Sequence, residues 1–149
     1  MKKGISALLV LAVMLSVLVP SCFASKSFQV GDIVQFGSYE QDNSKENGKE
    51  PIAWQLFNVE GDKLILLSKY ILDRKTMHPN EDPGLTWGAS ELRSWLNGYS
   101  SDANAPETDY SEDNFISSAF TDEEKQEILL SRIDSSMEDY IYLLSGGNP

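Results

Sequence analysis

The order of the predicted elements indicates a small α+β domain: an antiparallel sheet with two short helices. Strand patterns come first along the chain, two short helix patterns follow, and a further strand pattern lies near the end. The regular strand–helix alternation of parallel sheets is missing from this order. Removal of residues 1–24 from the 149-residue chain leaves 125 residues, a length typical of one domain with one core. The sequence therefore predicts a single α+β domain at residues 25–149.

The clearest strand pattern covers residues 52–59, where strongly apolar side chains such as Ile52 and Trp54 recur at period two. A short turn that contains Gly61 separates this pattern from the continuous apolar run at residues 63–67. Two such runs across a glycine-containing turn predict a hairpin. The continuous second run predicts a strand that is buried on both faces.

Two other segments also predict strands, residues 30–37 and residues 141–144. The polar residues 41–50 predict a loop, and the proline-containing residues 73–86 predict irregular surface structure.

The first helix pattern begins after Ser90, a residue that is typical of the N-cap position. Leu92, Trp95 and Leu96 follow at i, i+3 and i+4, so they predict one buried face. Gly98 predicts the end of this helix.

The second helix pattern begins with a capping box, in which the Thr121 hydroxyl and the Glu124 carboxylate each bind a backbone amide of the first turn. Ile128, Leu129 and Ile133 are the expected buried side of this helix.

The first 24 residues have the pattern of an export signal. Lys2 and Lys3 precede an almost uncharged apolar stretch at residues 5–19, and the small residues Cys22 and Ala24 suit a signal peptidase. The apolar stretch of about 15 residues is shorter than the roughly 20 that a membrane-spanning helix needs. The sequence therefore predicts cleavage after Ala24 and a secreted or extracytoplasmic product.

Two alternatives to free secretion follow from the same segment. An uncleaved segment would remain as a membrane anchor. Residues 19–22 also resemble an imperfect lipobox, in which Cys22 would carry a lipid and become the N-terminus of a bacterial lipoprotein. Contact with a membrane is expected only through one of these anchors. Because Cys22 is the only cysteine, the domain has no internal disulfide.

The charge of the chain excludes nucleic acid as a partner. The chain has 12 basic and 23 acidic residues; removal of Lys2 and Lys3 leaves 10 against 23, a formal net charge of −13. Nucleic acids and anionic membrane surfaces both require a basic footprint, which this acidic domain lacks.

An ordered set of motifs resembles a known family, domain of unknown function 6273. The motifs are GDIVQFGSY at 31–39, PIAW at 51–54, LLS at 66–68, WGASELRSWLN at 87–97, AFT at 119–121 with Glu124, and YLLS at 142–145. The resemblance spans roughly residues 30–145, and the family is common in exported proteins of anaerobic bacteria.

The resemblance implies no established activity and no catalytic residues. It implies a strand–helix–loop plan like that of a trimmed C-type-lectin-like domain, a fold that binds glycans or proteins; this is an analogy of fold alone. Family members continue past the final strand motif, whereas this chain stops four residues after Ser145. The resemblance therefore implies truncation at the C-terminus, as a fragment or as the product of a frameshifted gene, or a short version of the domain.

Trp87 and Arg93 are the candidate ligand-binding residues. Aromatic faces stack on sugar rings, and a guanidinium group binds hydroxyls or carboxylates through its planar fork. Trp54 and Trp95, in contrast, lie at spacings that already predict the core. For Arg93 the alternative interpretation is an ion pair with one of the many carboxylates.

The acidic loop at residues 100–114 contains candidate calcium ligands, since calcium takes six to eight oxygen ligands. The candidates are Asp102, Asn104, Asp109 and Asp113. The EF-hand spacing is absent, and the alternative is a solvated charged loop. His78 is the only histidine, so no zinc site and no cofactor are expected.

These observations together predict a noncatalytic, exported recognition domain for a cell-surface glycan or another exported protein. No nucleophile elbow and no phosphate-binding glycine loop occurs in the sequence. One alternative is a hydrolase of surface polymers that uses a pair of carboxylates. The other is a fragment without independent function.

Overall fold

The computed structural model describes residues 8–10, 12–18, 27–77, 84–103 and 108–144. These residues form an antiparallel sheet with short helices, which confirms the predicted α+β class. The strands are β1 (Leu8–Val10), β2 (Val13–Leu18), β3 (Ile33–Tyr39), β4 (Glu50–Glu60), β5 (Lys63–Ser68), β6 (Arg74–Thr76), β7 (Ile128–Leu129), β8 (Ser131–Arg132), β9 (Glu138–Asp139) and β10 (Ile141–Leu143). The helices are α1 (Glu91–Asn97), α2 (Phe115–Ala119) and α3 (Asp122–Glu127).

The main sheet has the strand order β10-β2-β5-β4-β3, and β7 also pairs with β2. All of these pairs are antiparallel. Two small ladders, β1 with β6 and β8 with β9, lie outside the main sheet. None of the helices in the described part of the chain is long and apolar enough to cross a membrane.

The predicted hairpin is formed by β4 and β5. The side chains of Ile52 and Trp54 are fully buried, and Gly61 has a φ of +64° in the turn. Glycine adopts this left-handed conformation without steric cost. The expectation that β5 is buried on both faces is wrong, because Ile65 and Leu67 are only half-buried on its second face.

The edge strand β3 contains an irregularity at Gly37. Its register against β4 shifts between Gln35 and Ser38, and Gly37 has a φ of +72°. A Cβ atom at this position would lie 2.5 Å from the Phe120 ring and 2.8 Å from the Ala119 carbonyl oxygen. Glycine therefore lets β3 approach the end of α2.

Helix α1 has the predicted signals at both ends. The Ser90 hydroxyl accepts a hydrogen bond from the Arg93 amide at 3.2 Å, and Gly98 ends the helix with a φ of +69°. Leu92, Trp95 and Leu96 are buried as predicted.

Helix α2 was not predicted. Asn114 caps it by accepting a hydrogen bond from the Ser117 amide at 2.8 Å, and both Phe115 and Ala119 are buried on one face. The Phe115 ring lies in an aromatic cluster, with ring centroids 5.0 Å from Tyr39 and 5.7 Å from Trp95. A helix of five residues depends on such packing, because so short a helix is unstable alone.

Helix α3 has the predicted capping box, with both of its hydrogen bonds formed. The expectation that the helix continues through Leu129 and Ile133 is wrong. Its last residue is Glu127, and Ile128 and Leu129 form β7 opposite Val17 and Ser16 of β2. The pairing with β2 explains the change, since β-branched residues such as Ile128 fit a strand well.

The N-terminal segment supplies an interior strand of the sheet, β2. In the full chain, β2 lies between β5 and β10, and Val13, Leu15 and Val17 are buried. The export signal remains a prediction, and Lys2, Lys3, Cys22 and Ala24 lie outside the described residues. The same apolar residues thus have a structural role in the unprocessed chain.

The segment predicted as irregular surface, residues 73–86, is partly regular. Its residues 74–76 form β6, paired with β1, so the prediction is wrong there. His78 lies outside the described residues.

Candidate functional site

The two predicted ligand-binding residues, Trp87 and Arg93, meet at a buried carboxylate. Asp139 on β9 has no exposed surface. The Trp87 indole N–H donates to Asp139 Oδ2 at 2.8 Å, and the Arg93 Nε–H donates to both oxygens at 2.9 and 3.0 Å. Arg93 Nη2 lies 2.8 Å from Oδ1, and the Tyr99 hydroxyl donates to the same oxygen at 2.8 Å. We call Trp87, Arg93, Tyr99 and Asp139 the Asp139 cluster.

The Asp139 cluster compensates a charge that lies away from water. A buried carboxylate is costly unless it is paired and hydrogen-bonded, and Asp139 has both an ion pair and neutral donors. The Arg93 side chain is only 14% exposed. Burial and the hydrogen bond to Asp139 raise the pKa of Tyr99, so its hydroxyl keeps its proton. The geometry matches the ion-pair interpretation of Arg93, and the ligand role of both residues remains a prediction.

Asn97, the last residue of α1, anchors the next strand. Its side-chain amide donates to the Ile141 carbonyl at 2.9 Å and accepts from the amides of Tyr140 and Ile141, both at 2.9 Å. Asn97 and Arg93 together attach β9 and β10 to α1. The sequence marks Asn97 only as a helix end, and no local pattern marks Asp139, so neither role is predictable from the sequence.

The acidic loop places the described calcium candidates on the surface. Asp102, Asp109 and Asp113 are exposed, and Asn104 lies outside the described residues. Asp109 accepts a hydrogen bond from the Ser111 amide at 2.9 Å, which lowers the pKa of its carboxyl group. The calcium site remains a prediction.

A different group of carboxylates converges within the described residues, at the end of β3 and the start of β4. Oxygens of Glu40, Asp42 and Glu50 lie within 4.8 Å of one another. The Ser44 amide donates to Asp42 at 2.7 Å, and the Gln41 amide donates to Glu50 at 2.7 Å. The hydrogen bonds to Asp42, first that from Asn47 and then that from Ser44, lower the pKa of its carboxyl group. The sequence predicted a loop here but not this convergence, since the three carboxylates come from both ends of the loop.

Next to this group lies an open cleft of about 460 Å³, between residues 39–43 and residues 71–74. The Tyr39 hydroxyl joins its two walls by donating to Asp73 at 2.7 Å. Burial, together with this hydrogen bond, raises the pKa of Tyr39 well above the usual range of a phenol. Ile71 presents an apolar side chain at the cleft, and this side chain is 56% exposed. We call this feature the Tyr39–Asp73 cleft.

A second, smaller cavity of about 290 Å³ lies at the turn between β8 and β9, over residues 132–138. Arg132 and Glu138 approach each other there, with 3.6 Å between Nη2 and Oε1. Exposed ion pairs of this kind contribute little to stability. The Tyr39–Asp73 cleft is the larger of the two, and it offers both hydrogen-bonding and apolar groups.

Comparison with known proteins identifies a family but no function. A family model described as Domain of unknown function (DUF6273) matches residues 61–148, which is more than half of the chain. The motifs at 66–68, 87–97, 119–121 and 142–145 lie inside this match, and those at 31–39 and 51–54 precede it. No curated protein and no solved structure matches the chain. The chain therefore belongs to the family described as Domain of unknown function (DUF6273).

Proposed function

We propose that the protein is an exported, noncatalytic recognition domain that binds a polar ligand in the Tyr39–Asp73 cleft. The ligand is a cell-surface glycan or a segment of another exported protein. The observation that carries this proposal is the cleft itself, an open concavity with polar walls and an exposed apolar residue at its side. Ligand sites combine a concave surface with a few convergent polar groups in this way.

The chemistry of the lining favours a hydroxyl-rich ligand. Gln41, Asn43, Asp73 and Arg74 offer donors and acceptors at the cleft. The exposed side chain of Ile71 can contact the apolar face of a sugar ring. The formal net charge of −11 favours a neutral or cationic ligand over an anionic one.

In this proposal Trp87 and Arg93 stabilise the fold around Asp139 and do not bind the ligand. The indole N–H of Trp87 and the Nε and Nη2 groups of Arg93 bind Asp139. A ligand that took these groups would leave a buried carboxylate without its partners, which is unfavourable. The lectin-like plan enters the proposal only as an analogy of fold.

The test is a titration of the purified protein with soluble neutral, cationic and anionic oligosaccharides. For an oligosaccharide that binds, we expect Ile71→Ser to weaken affinity at least tenfold. Leu130→Ser is the matched control, because Leu130 is similarly exposed, at 49%, but does not line the cleft. Equal affinities of the two variants would mean that the ligand does not bind in the cleft. Weaker binding by a folded Arg93→Ala variant, with Ile71→Ser unaffected, would assign the ligand to Trp87 and Arg93 instead.

A carboxylate-dependent hydrolase of surface polymers is the second candidate. The observation that favours it is that Glu40 and Asp73 line the same cleft. Glycoside hydrolysis uses two carboxyl groups, one on each side of the scissile bond. This candidate requires turnover of a polysaccharide by the purified protein, abolished by Glu40→Gln or Asp73→Asn. Binding without turnover leaves the noncatalytic proposal in place.

A further inference from the structure

We propose that the processed domain takes a β-strand from another exported protein into the position that β2 occupies in the full chain. This inference rests on the export in the proposed function and on the predicted cleavage after Ala24, and it names the partner's chemistry. The partner segment is extended, uncharged over five residues and mostly apolar. It joins the sheet antiparallel to β5.

Cleavage after Ala24 would remove an interior strand of the sheet. Strand β2 pairs with β5 along residues 14–18, and on its other side with β10 and β7. Its loss exposes the backbone amides and carbonyls of three strands at once. It also uncovers buried apolar side chains of those strands, including Leu66, Ile128 and Ile141. Unpaired strand edges of this kind readily accept another strand.

The walls of this gap are held apart by contacts that do not involve β2. Strands β5 and β10 lie on opposite sides of β2, about 9–10 Å apart at the usual strand spacing. Asn97 binds the backbone of Ile141, and Arg93 binds Asp139, so α1 fixes the β9–β10 side. Trp54, fully buried on β4, donates to the Phe36 carbonyl and supports the β5 side through the hairpin. Each wall of the gap thus keeps its own attachment to the fold when β2 is absent.

The residues of β2 define the chemistry of the occupant. Val13, Leu15 and Val17 are buried on one face, and Met14 and Ser16 are buried on the other. The matching segment thus has five residues. The first, second, third and fifth are apolar, and the fourth is small. A charge at the centre of the segment would lose its hydration without gaining a partner.

Two hydroxyl groups of the gap further define the fit. Ser68 Oγ accepts a hydrogen bond from the Val13 amide at 3.0 Å. The Ser131 hydroxyl donates to Ser16 Oγ at 2.9 Å. The first contact binds backbone and therefore accepts any sequence, whereas the second favours a small polar residue. Recognition by strand addition commonly divides affinity and specificity between backbone and side chains in this way.

The described strands of the processed chain do not supply this segment themselves. Strands β3, β4, β5 and β10 are already placed in the sheet, and β7 pairs with β2 at its edge. Strand β6 would also lose its partner β1, but its sequence Arg-Lys-Thr is too charged to enter the gap. The formal net charge of −13 after processing favours a partner with basic residues on either side of the apolar segment.

The experiment uses the full chain with a specific protease site inserted between Ala24 and Ser25. The folded protein is cut there and mixed with a fluorescent synthetic peptide of residues 8–20. We expect saturable binding of the peptide as it exchanges with the cut strand, followed by fluorescence anisotropy. A Leu15→Lys peptide should bind at least tenfold more weakly, whereas a Leu18→Lys peptide should bind nearly as well as the unmodified peptide. Leu15 is fully buried and Leu18 is only half-buried, so the two peptides carry the same charge at sites of different burial.

Three results would overturn the proposal. The first is equal binding of the two lysine peptides. The second is a cut protein that stays folded after losing the strand and binds no peptide. The third is a cut protein that dimerises, with twice the monomer mass by light scattering, and refuses the peptide, because a second copy would then fill the gap.

The proposed function has separate readouts. The mass of the exported protein shows whether residues 1–24 are removed, and the Ile71→Ser titration tests the cleft. If the exported protein retains residues 1–24, β2 still fills its position, and the proposal that a partner strand replaces it in the cell is wrong. This holds even if the cut protein binds the peptide. Failure of peptide binding alongside intact glycan binding would overturn the strand inference and leave the recognition proposal standing.

Discussion

Asp139 joins parts of the chain that are far apart in sequence. Its donors are Trp87, Arg93 and Tyr99, which lie 40 to 52 residues before it. The Arg93 guanidinium also lies 5.0 Å from the centre of the Tyr99 ring, so the cation contacts both an anion and an aromatic face. Removing the anion would leave a largely buried cation without its partner, which is among the costliest changes in a protein interior.

We therefore expect Asp139→Asn to lower the free energy of unfolding by about 3–5 kcal/mol, the cost typical of breaking a buried ion pair from one side. Urea denaturation of the full chain measures this change. Glu138→Gln is the matched control, since its ion pair with Arg132 is largely exposed. The control should lose no more than about 1 kcal/mol. Similar losses in both variants would contradict the structural role of Asp139.

Gly37 allows a second test at the residue scale. Gly37→Ala places a Cβ atom 2.5 Å from the Phe120 ring, whereas Gly48→Ala meets nothing within 4 Å. Both glycines have similar left-handed φ values, +72° and +79°, so the backbone strain is matched. We expect Gly37→Ala to destabilise the protein by about 1–3 kcal/mol more than Gly48→Ala, the usual cost of overpacking. Equal changes in the thermal midpoint would mean that the close approach of β3 and α2 is unimportant.

At the scale of elements, Glu124 stabilises a helix and a strand together. Its Oε2 accepts from the Thr121 amide at 2.9 Å and completes the capping box of α3. Its Oε1 accepts from the Gly37 amide of β3 at 3.0 Å. One side chain thus accepts hydrogen bonds from two backbone amides, one at the start of α3 and one at the β3 irregularity.

Glu124→Ala should lower the free energy of unfolding by about 1–2 kcal/mol, since it removes a cap and an interelement hydrogen bond. Glu123→Ala is the control, because Glu123 lies in the same first turn but is exposed. Its loss should be at most about 0.5 kcal/mol, from the helix dipole alone. A chemical denaturation series with both variants measures the difference. Equal losses of unfolding free energy in the two variants would mean that Glu124 stabilises the protein only through its negative charge near the start of α3.

The sequence predicted the elements whose signals are local. Ser90 and Gly98 bound α1, and Thr121 with Glu124 begins α3, because capping depends on residues three or four positions apart. The end of α3 was missed, since Ile128 leaves the helix to pair with β2, more than a hundred residues away. Helix α2 was missed because its stability comes from the packing of Phe115.

In the candidate site, too, the sequence predicted the residues with local signals but not their long-range partners. Trp87 and Arg93 were identified by residue type and do lie together, yet the carboxylate that joins them is on a strand after the long acidic loop. The Tyr39–Asp73 cleft combines two segments that are about 30 residues apart. Single-sequence patterns do not specify such pairings, which follow from the sheet topology.

At the scale of the whole molecule, several tyrosines make the fold sensitive to alkaline pH. The pKa values of Tyr39, Tyr99, Tyr110 and Tyr142 are all raised, first by burial. For Tyr110, burial and the hydrogen bond to Glu91 raise the pKa to about 12, from 10.0 for the unperturbed phenol. The unfolded chain therefore releases these protons at lower pH than the folded chain.

Titration of these phenols should leave stability unchanged below pH 10, and stability should fall as the pH rises from 10 to about 12. We expect Tyr110→Phe to make the fall in the thermal midpoint across this range less steep. The matched control is Tyr70→Phe, because the Tyr70 side chain is 58% exposed. An unchanged slope for Tyr110→Phe would mean that Tyr110 does not contribute to the alkaline transition.

The register shift in β3 bears on how readily another strand could add to this edge of the sheet. The edge strand and its neighbour present apolar side chains to water, among them Ile33 and Phe57. An uninterrupted edge of this composition would offer a template for stacking into fibrils. The irregularity at Gly37 breaks the row of backbone donors and acceptors that an incoming strand would need. We therefore expect Gly37 to lower the tendency of this side of the sheet to add further strands.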